Sequence, residues 1–161
     1  MKRPLSEAER KLIAKRRPWF GSGRREANED LASNEADVFE FAVRRFWDVN
    51  ECGPPCCPRA FLIETVAGEL IYLESWTALP PSDAVGRDCA AHRTTRSKTL
   101  LLFETSGPVM PVQQGRDLLF DFEAPECEWV RIEDLPVAVQ QAIRSSPPDD
   151  AQGEDRLLPV P

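Results

Sequence analysis

The chain has 161 residues, 42% of them apolar and 29% charged, with a formal net charge of −7. Such a length and composition suit one domain with its own core plus unpacked ends, and the acidity means that the chain as a whole is repelled by nucleic acid and by anionic membranes. No stretch approaches the roughly 20 apolar residues that cross a bilayer, and Leu5, Leu12 and Ile13 are too interrupted by charge to form the apolar core of a secretory signal.

The charge is unevenly spread. Residues 1–25 hold nine basic residues (Lys2, Arg3, Arg10, Lys11, Lys15, Arg16, Arg17, Arg24, Arg25) against Glu7 and Glu9, a local charge of +7 that leaves −14 for the other 136 residues. Five cysteines, an odd number without a visible leader, point to free thiols in a reducing, cytoplasmic setting rather than to a disulfide framework.

In chain order, Ser6 and Glu9 fit a capping box that starts a basic helix over residues 6–16. Leu5, Ala8, Leu12 and Ile13 lie roughly on one side of it, and Pro18 stops it. A helix of about 11 residues is marginal alone in water, so it needs a partner surface. Residues 21–36 read as a polar linker, which makes 1–36 a basic N-terminal arm. A single globular unit is expected over 37–145.

Phe39, Phe41 and Val43 alternate on one face of a strand. Arg44 and Arg45 interrupt the alternation and Phe46-Trp47 resume it out of phase, as a bulge would allow. Gly53, Pro54, Pro55 and Pro58 forbid regular structure over 50–58. Ala60–Val66 and Glu69–Thr77, joined at Ala67-Gly68, form the best hairpin signal in the chain. Leu70, Tyr72 and Trp76 face one way and Ile71 and Leu73 the other, so this strand is expected to be covered on both faces, as is Thr99–Phe103.

Ala78–Ser97 reads as a long connection without regular structure. Leu118–Phe122 and Glu128–Ile132 read as further strands. A helix is expected at about 134–145, with Asp134 as N-cap, Pro136 in the first turn, and Leu135, Val139, Ala142 and Ile143 as the stripe on the sheet. Residues 146–161 read as a disordered acidic tail. The expected architecture is α+β: five or six mainly antiparallel strands forming a twisted sheet or partial barrel, a C-terminal helix packed on it and the short basic N-terminal helix.

Two groups of residues invite a chemical reading. Cys52 and Cys56, with Cys89 and the single histidine His92, have the residue types and spacings of a Cys3His zinc site, in which thiolate and imidazole suit the metal. Against that stands a plainer reading: buried cysteines used as small apolar side chains and a histidine on the surface. The second group is Arg87, Arg93, Arg96 and Lys98, a run without an acid after Asp88, whose guanidinium forks suit an oxyanion. No catalytic residue is assigned. GxGxxG, P-loop, HExxH, GxSxG and EF-hand patterns are all absent, and a single histidine excludes a multi-histidine metalloenzyme.

The leading expectation is therefore a non-enzymatic binding or accessory domain acting through protein contacts, without a cofactor. The alternatives are a zinc-supported structural domain and a cysteine-dependent or anion-processing enzyme centred on 87–98. Residues 1–25 offer three further possibilities: contact with nucleic acid phosphates, an anionic membrane surface with Trp19 and Phe20 at the interface, or folding back on the acidic body of the chain itself or of a neighbour.

Overall fold

The computed structural model describes residues 1–49, 57–113 and 126–145. The expected strand at Leu118–Phe122, the acidic tail 146–161 and the thiols Cys52 and Cys56 lie outside the described residues. The described chain is α+β. It runs β1 (Lys2–Pro4), α1 (Glu7–Arg16), α2 (Ser22–Ser33), β2 (Glu35–Asp48), β3 (Arg59–Thr65), β4 (Leu70–Ser75), β5 (Gly86–Thr94), β6 (Leu100–Val109), β7 (Val112–Gln113), β8 (Cys127–Val130) and α3 (Val137–Ser145). The strands form one open sheet in the order β6-β5-β2-β3-β4-β8, with β1 and β7 also paired to β2. All these pairings are antiparallel except the short one between β7 and β2.

The long β2 is the spine. Its first half pairs β5 over Ala36–Ala42 and its second half pairs β3 over Val43–Asp48. The register shifts between Val43 and Arg45, where the sequence pattern demands a bulge. The extra residue lets Val43 and Phe46 enter the same core although they are three positions apart, and turns Trp47 to the opposite face. Beyond the bulge, Arg45 pairs with Glu64 on β3 and lies over the Trp47 ring at 5.0 Å.

The β3–β4 hairpin forms at the expected place. Gly68 supplies the positive φ of its turn (+84°), and Thr65 and Glu69 close it, Thr65 N donating to Glu69 O at 2.8 Å. β4 is covered on both faces, as expected. Ile71 and Leu73 join the main core with Phe46, Phe61 and Phe103, whereas Leu70 and Tyr72 meet Leu135, Val139 and Ile143 of the C-terminal segment. The helix stripe matches the expectation, but α3 begins later, at Val137. A single 3-10 turn, Ile132–Asp134, comes first, and Asp134 pairs with Arg131 instead of capping α3.

The main core is enclosed because the sheet curls. Cys127 N at the start of β8 donates to Lys98 O just before β6 at 3.1 Å, so the two ends of the strand order approach each other without closing a barrel.

Two sequence expectations need correction. The supposed linker over 21–36 contains α2. Gly21 opens the helix in a conformation with φ of +82° and Asn34 closes it in the left-handed region, with Asn34 N donating to Asp30 O at 3.1 Å. Ala27 and Leu31, one turn apart, pack with Leu5, Ile13, Ala36 and Leu101 in a third cluster. This is the partner surface that α1 lacks alone, and its Ser6–Glu9 capping box is present. The supposed loop Ala78–Ser97 contains β5. Its inward residues Cys89 and Ala91 are small, so the strand carries little of the bulky alternation by which strands are recognised. Gly86, its first residue, sits against β6: a Cβ there would collide with Ser106 O.

Candidate functional site

β5 decides where the predicted site residues point. Its pairing with β2 runs unbroken from Asp88 to Thr94, so Cys89 and His92, three residues apart, project from opposite faces. Cys89 enters the main core, its Sγ 3.4 Å from Gly86 O. Burial pushes its thiol above the ordinary range. The structure therefore does not bring Cys89 and His92 together, and their proposed co-ligands Cys52 and Cys56 lie outside the described residues. No group of three or more His, Cys, Asp and Glu side chains among the described residues has the arrangement of a metal site. Cys127, buried at the start of β8, is pushed up to about 12 by the same desolvation.

The four cationic candidates do not form one cluster. Arg87 is exposed near the start of β5. Arg93, at its far end, lies over the Phe39 ring at 4.7 Å, donates to Cys127 O at 2.6 Å and faces Glu128 at 3.5 Å. Lys98 pairs with the same Glu128. Burial alone would raise the Glu128 carboxyl, but the Lys98 hydrogen bond and the Lys98 and Arg93 charges outweigh it, and the net shift is downward. Arg96 stands 3.6 Å from Glu29. Arg93 and Lys98 thus converge on a carboxylate of their own chain, and Arg96 meets another.

His92 lies on the outer face, within a chain of contacts that sequence spacing does not reveal. Arg3 Nε donates to His92 Nδ1 at 2.8 Å, and His92 Nε2 lies 2.8 Å from Glu104 Oε2. Since guanidinium only donates, Nδ1 is the lone-pair nitrogen, and Nε2 carries the proton and donates to Glu104. The two Arg3 terminal nitrogens grip Glu9. That contact, joined by the Ser6 hydrogen bonds and outweighing burial, which acts the other way, holds the Glu9 carboxyl down at about 2. Both imidazole nitrogens are therefore engaged, and the network fastens β1 and α1 to β5 and β6.

Asp30, on α2, carries no local signal in the sequence. Its carboxylate is fully buried and accepts from Arg96 N (2.7 Å), Ser97 N (3.0 Å) and Ser97 Oγ (2.7 Å). It thereby pins α2 to the β5–β6 turn. Ala27 and Leu31 at helical spacing, with Asn34 as a C-terminal stop, are the signals that could have found the helix.

One surface remains open. The N-terminal elements cover the outer face of β2-β5-β6 as far as His92: Ala36 and Leu101 pack in the third cluster, and Arg3, held by Glu9, meets His92. Beyond His92, Glu40, Ala90 and Glu104 share one rung across the three strands, and Ala42, Asp88 and Ser106 share the next. Glu40, Asp88 and Glu104 are exposed, Ala90 provides a small floor, and the cleft there has a volume of about 690 Å³. No helix among the described residues is long and apolar enough to cross a membrane.

No protein-family model, curated protein or solved structure matches the chain.

Proposed function

We propose that this chain is a non-enzymatic binding domain that acts through protein contacts, and that the uncovered half of the β2-β5-β6 outer face receives a basic segment of its partner. The observation that carries this reading is the trio of Glu40, Asp88 and Glu104 on adjacent strands and successive rungs of one face, around the small side chain of Ala90. A small-residue floor admits close approach, and three like charges on fixed backbone complement lysine and arginine better than mobile loop carboxylates do. The reading is further supported by where the potentially reactive groups are used: two thiols are core residues, and the imidazole and three of the four candidate cations hold elements of the fold together.

The test uses a fluorescent peptide of about ten alternating lysine and glycine residues, an extended cationic probe, and reads binding by anisotropy at low salt and at about 0.5 M salt, where screening is strong. Glu40→Gln with Asp88→Asn should weaken binding at low salt at least fivefold. Glu69→Gln with Glu133→Gln, an equal loss of charge elsewhere on the surface, should change it less than twofold. Equal effects of the two pairs would reject the face as the contact.

A further inference from the structure

The exposed aromatic pair between α1 and α2 lies outside the reading above. Trp19 is 82% and Phe20 85% exposed, the two most open large apolar side chains of the described structure. They are adjacent in sequence, at the corner where the helical pair reverses. Residues 10–25 around them hold seven cations (Arg10, Lys11, Lys15, Arg16, Arg17, Arg24, Arg25) and no acid. The corner is built rather than frayed: Arg24 donates to Trp19 O at 3.1 Å, and Arg17 bridges to Asn28 across the two helices at 2.8 Å.

We propose that this corner attaches the protein to the surface of an anionic lipid bilayer, with Trp19 and Phe20 entering the headgroup region and the surrounding cations meeting lipid phosphates and carboxylates. Exposed Trp and Phe beside Lys and Arg are the combination that partitions into such an interface: the rings bury apolar area and the cations gain from the negative surface potential. A nucleic acid strand is a poorer fit, because stacking side chains line grooves that track a backbone, and these two rings stand open to solvent. The body charge of −14 does not forbid the approach. Arg16 reaches Glu126 at 3.3 Å, and Glu126 accepts from Leu100 N at 3.1 Å, so the end of α1 lies at the turn end of the β5–β6 hairpin. The rung of Asp88 and Ser106 lies toward the open end of that hairpin. The cationic corner can therefore face a membrane while the acidic trio lies elsewhere, and the proposal stands independently of the partner-binding reading.

The experiment is co-sedimentation of the full chain with large vesicles of phosphatidylcholine containing about 30% phosphatidylserine, against pure phosphatidylcholine, at about 0.15 M salt where screening is physiological. Binding should be seen with the anionic vesicles and fall at least tenfold without phosphatidylserine. Trp19→Ala with Phe20→Ala should reduce it at least fivefold. Lys15→Gln with Arg25→Gln, which leaves the aromatic pair intact, should do the same by removing two surface cations. All four positions are exposed or lie outside the cores, and unchanged thermal melting of each variant confirms its fold. Absence of binding to anionic vesicles, or binding indifferent to both variant pairs, overturns the proposal. So does tighter binding to a single-stranded oligonucleotide of about 20 residues than to the anionic vesicles at the same salt, since phosphate tracking alone then accounts for the cations.

Discussion

Arg3 and His92 stand 89 positions apart in the chain, yet Arg3 Nε and His92 Nδ1 are 2.8 Å apart and share one hydrogen bond. The only imidazole of the protein is thereby held as an acceptor toward β1 and a donor toward Glu104 on β6. A glutamine at position 92 can mimic this pattern, since its carbonyl accepts and its amide donates. A leucine fills the volume but leaves Arg3 Nε without a partner. His92→Leu should therefore destabilise the fold by about 1–3 kcal/mol, the usual range for orphaning a partly buried donor. His92→Gln should lose less than half as much. Urea denaturation checks both, and equal losses would mean that only ring packing matters at this position.

Glu9 gives the same junction an acid sensitivity. Its folded value of about 2 lies below the ordinary 4.5 because Arg3 holds the carboxylate. A depressed carboxyl contributes stability that is complete above about pH 4.5 and disappears as the pH falls from there toward about 2. Glu126 acts in the opposite sense. Burial raises its value despite the Arg16 charge, so its protonation favours the folded state as the pH falls toward 4.5. Glu9→Gln keeps the side-chain acceptor of the capping box and removes the charge. It should lower stability at neutral pH and flatten the acid limb of the stability curve, whereas Glu126→Gln should leave that limb at least as steep. A Glu9→Gln limb identical to that of the parent chain would show that other carboxylates govern acid unfolding.

How much of this was legible in the chain follows from where the structural signals reside. The bulge at Arg44, the turn at Gly68, the Ser6–Glu9 cap and the Leu135–Val139–Ile143 stripe are all local patterns, and each lies where its residues say. β5 was illegible because strand recognition relies on bulky alternation, and a strand squeezed between β2 and β6 can satisfy its core with Cys89 and Ala91. α2 was illegible because Gly21, Ser22 and Gly23 resemble a linker until Ala27 and Leu31 find Leu5 and Ile13, a tertiary contact. Cys89 and His92 part for a related reason. Cys89 and His92 looked close because they are close in sequence, and the period of two along a strand sends them to opposite faces. Pairings such as Arg3 with His92 depend on sheet order, which no spacing encodes.

The described thiols can be ranked by environment. Cys127 is pushed up to about 12 and Cys89 is raised, in both cases chiefly by burial, and both have apolar neighbours in the main core. Thiolate is the reactive form, so neither should react at neutral pH while the fold persists. Brief treatment with iodoacetamide at pH 7.5, followed by peptide mapping, should find Cys89 and Cys127 unmodified in the native protein and modified in urea. Half-buried Cys57 should react ahead of both. Rapid native alkylation of Cys89 would instead revive a cysteine-dependent activity on β5.

Asp30 makes the strongest mutational prediction. Its carboxylate is fully buried, and three donors from a single turn, Arg96 N, Ser97 N and Ser97 Oγ, converge on it. The neighbouring Lys98 has a φ of +54°, an arrangement that non-glycine residues adopt only when their surroundings hold them there. Asp30 is one of those surroundings, together with Thr94, whose Oγ accepts from Thr99 N at 2.8 Å. In Asp30→Ala all three donors lose their acceptor inside a closed interface. The expected loss is about 2–4 kcal/mol, since hydrogen bonds to a charged group contribute more than neutral ones and the amides left behind stay desolvated. In Asp30→Asn one oxygen still accepts, but the new amide group faces a donor, so an intermediate loss is expected. The loss should also be local before it is global. Amide exchange at Arg96 and Ser97 should accelerate in Asp30→Asn well before that of Ile63 or Leu73, which sit in the main core away from α2. Uniform acceleration across all four amides would mean that α2 and the β5–β6 turn do not form a separable junction and that Asp30 contributes only to overall stability.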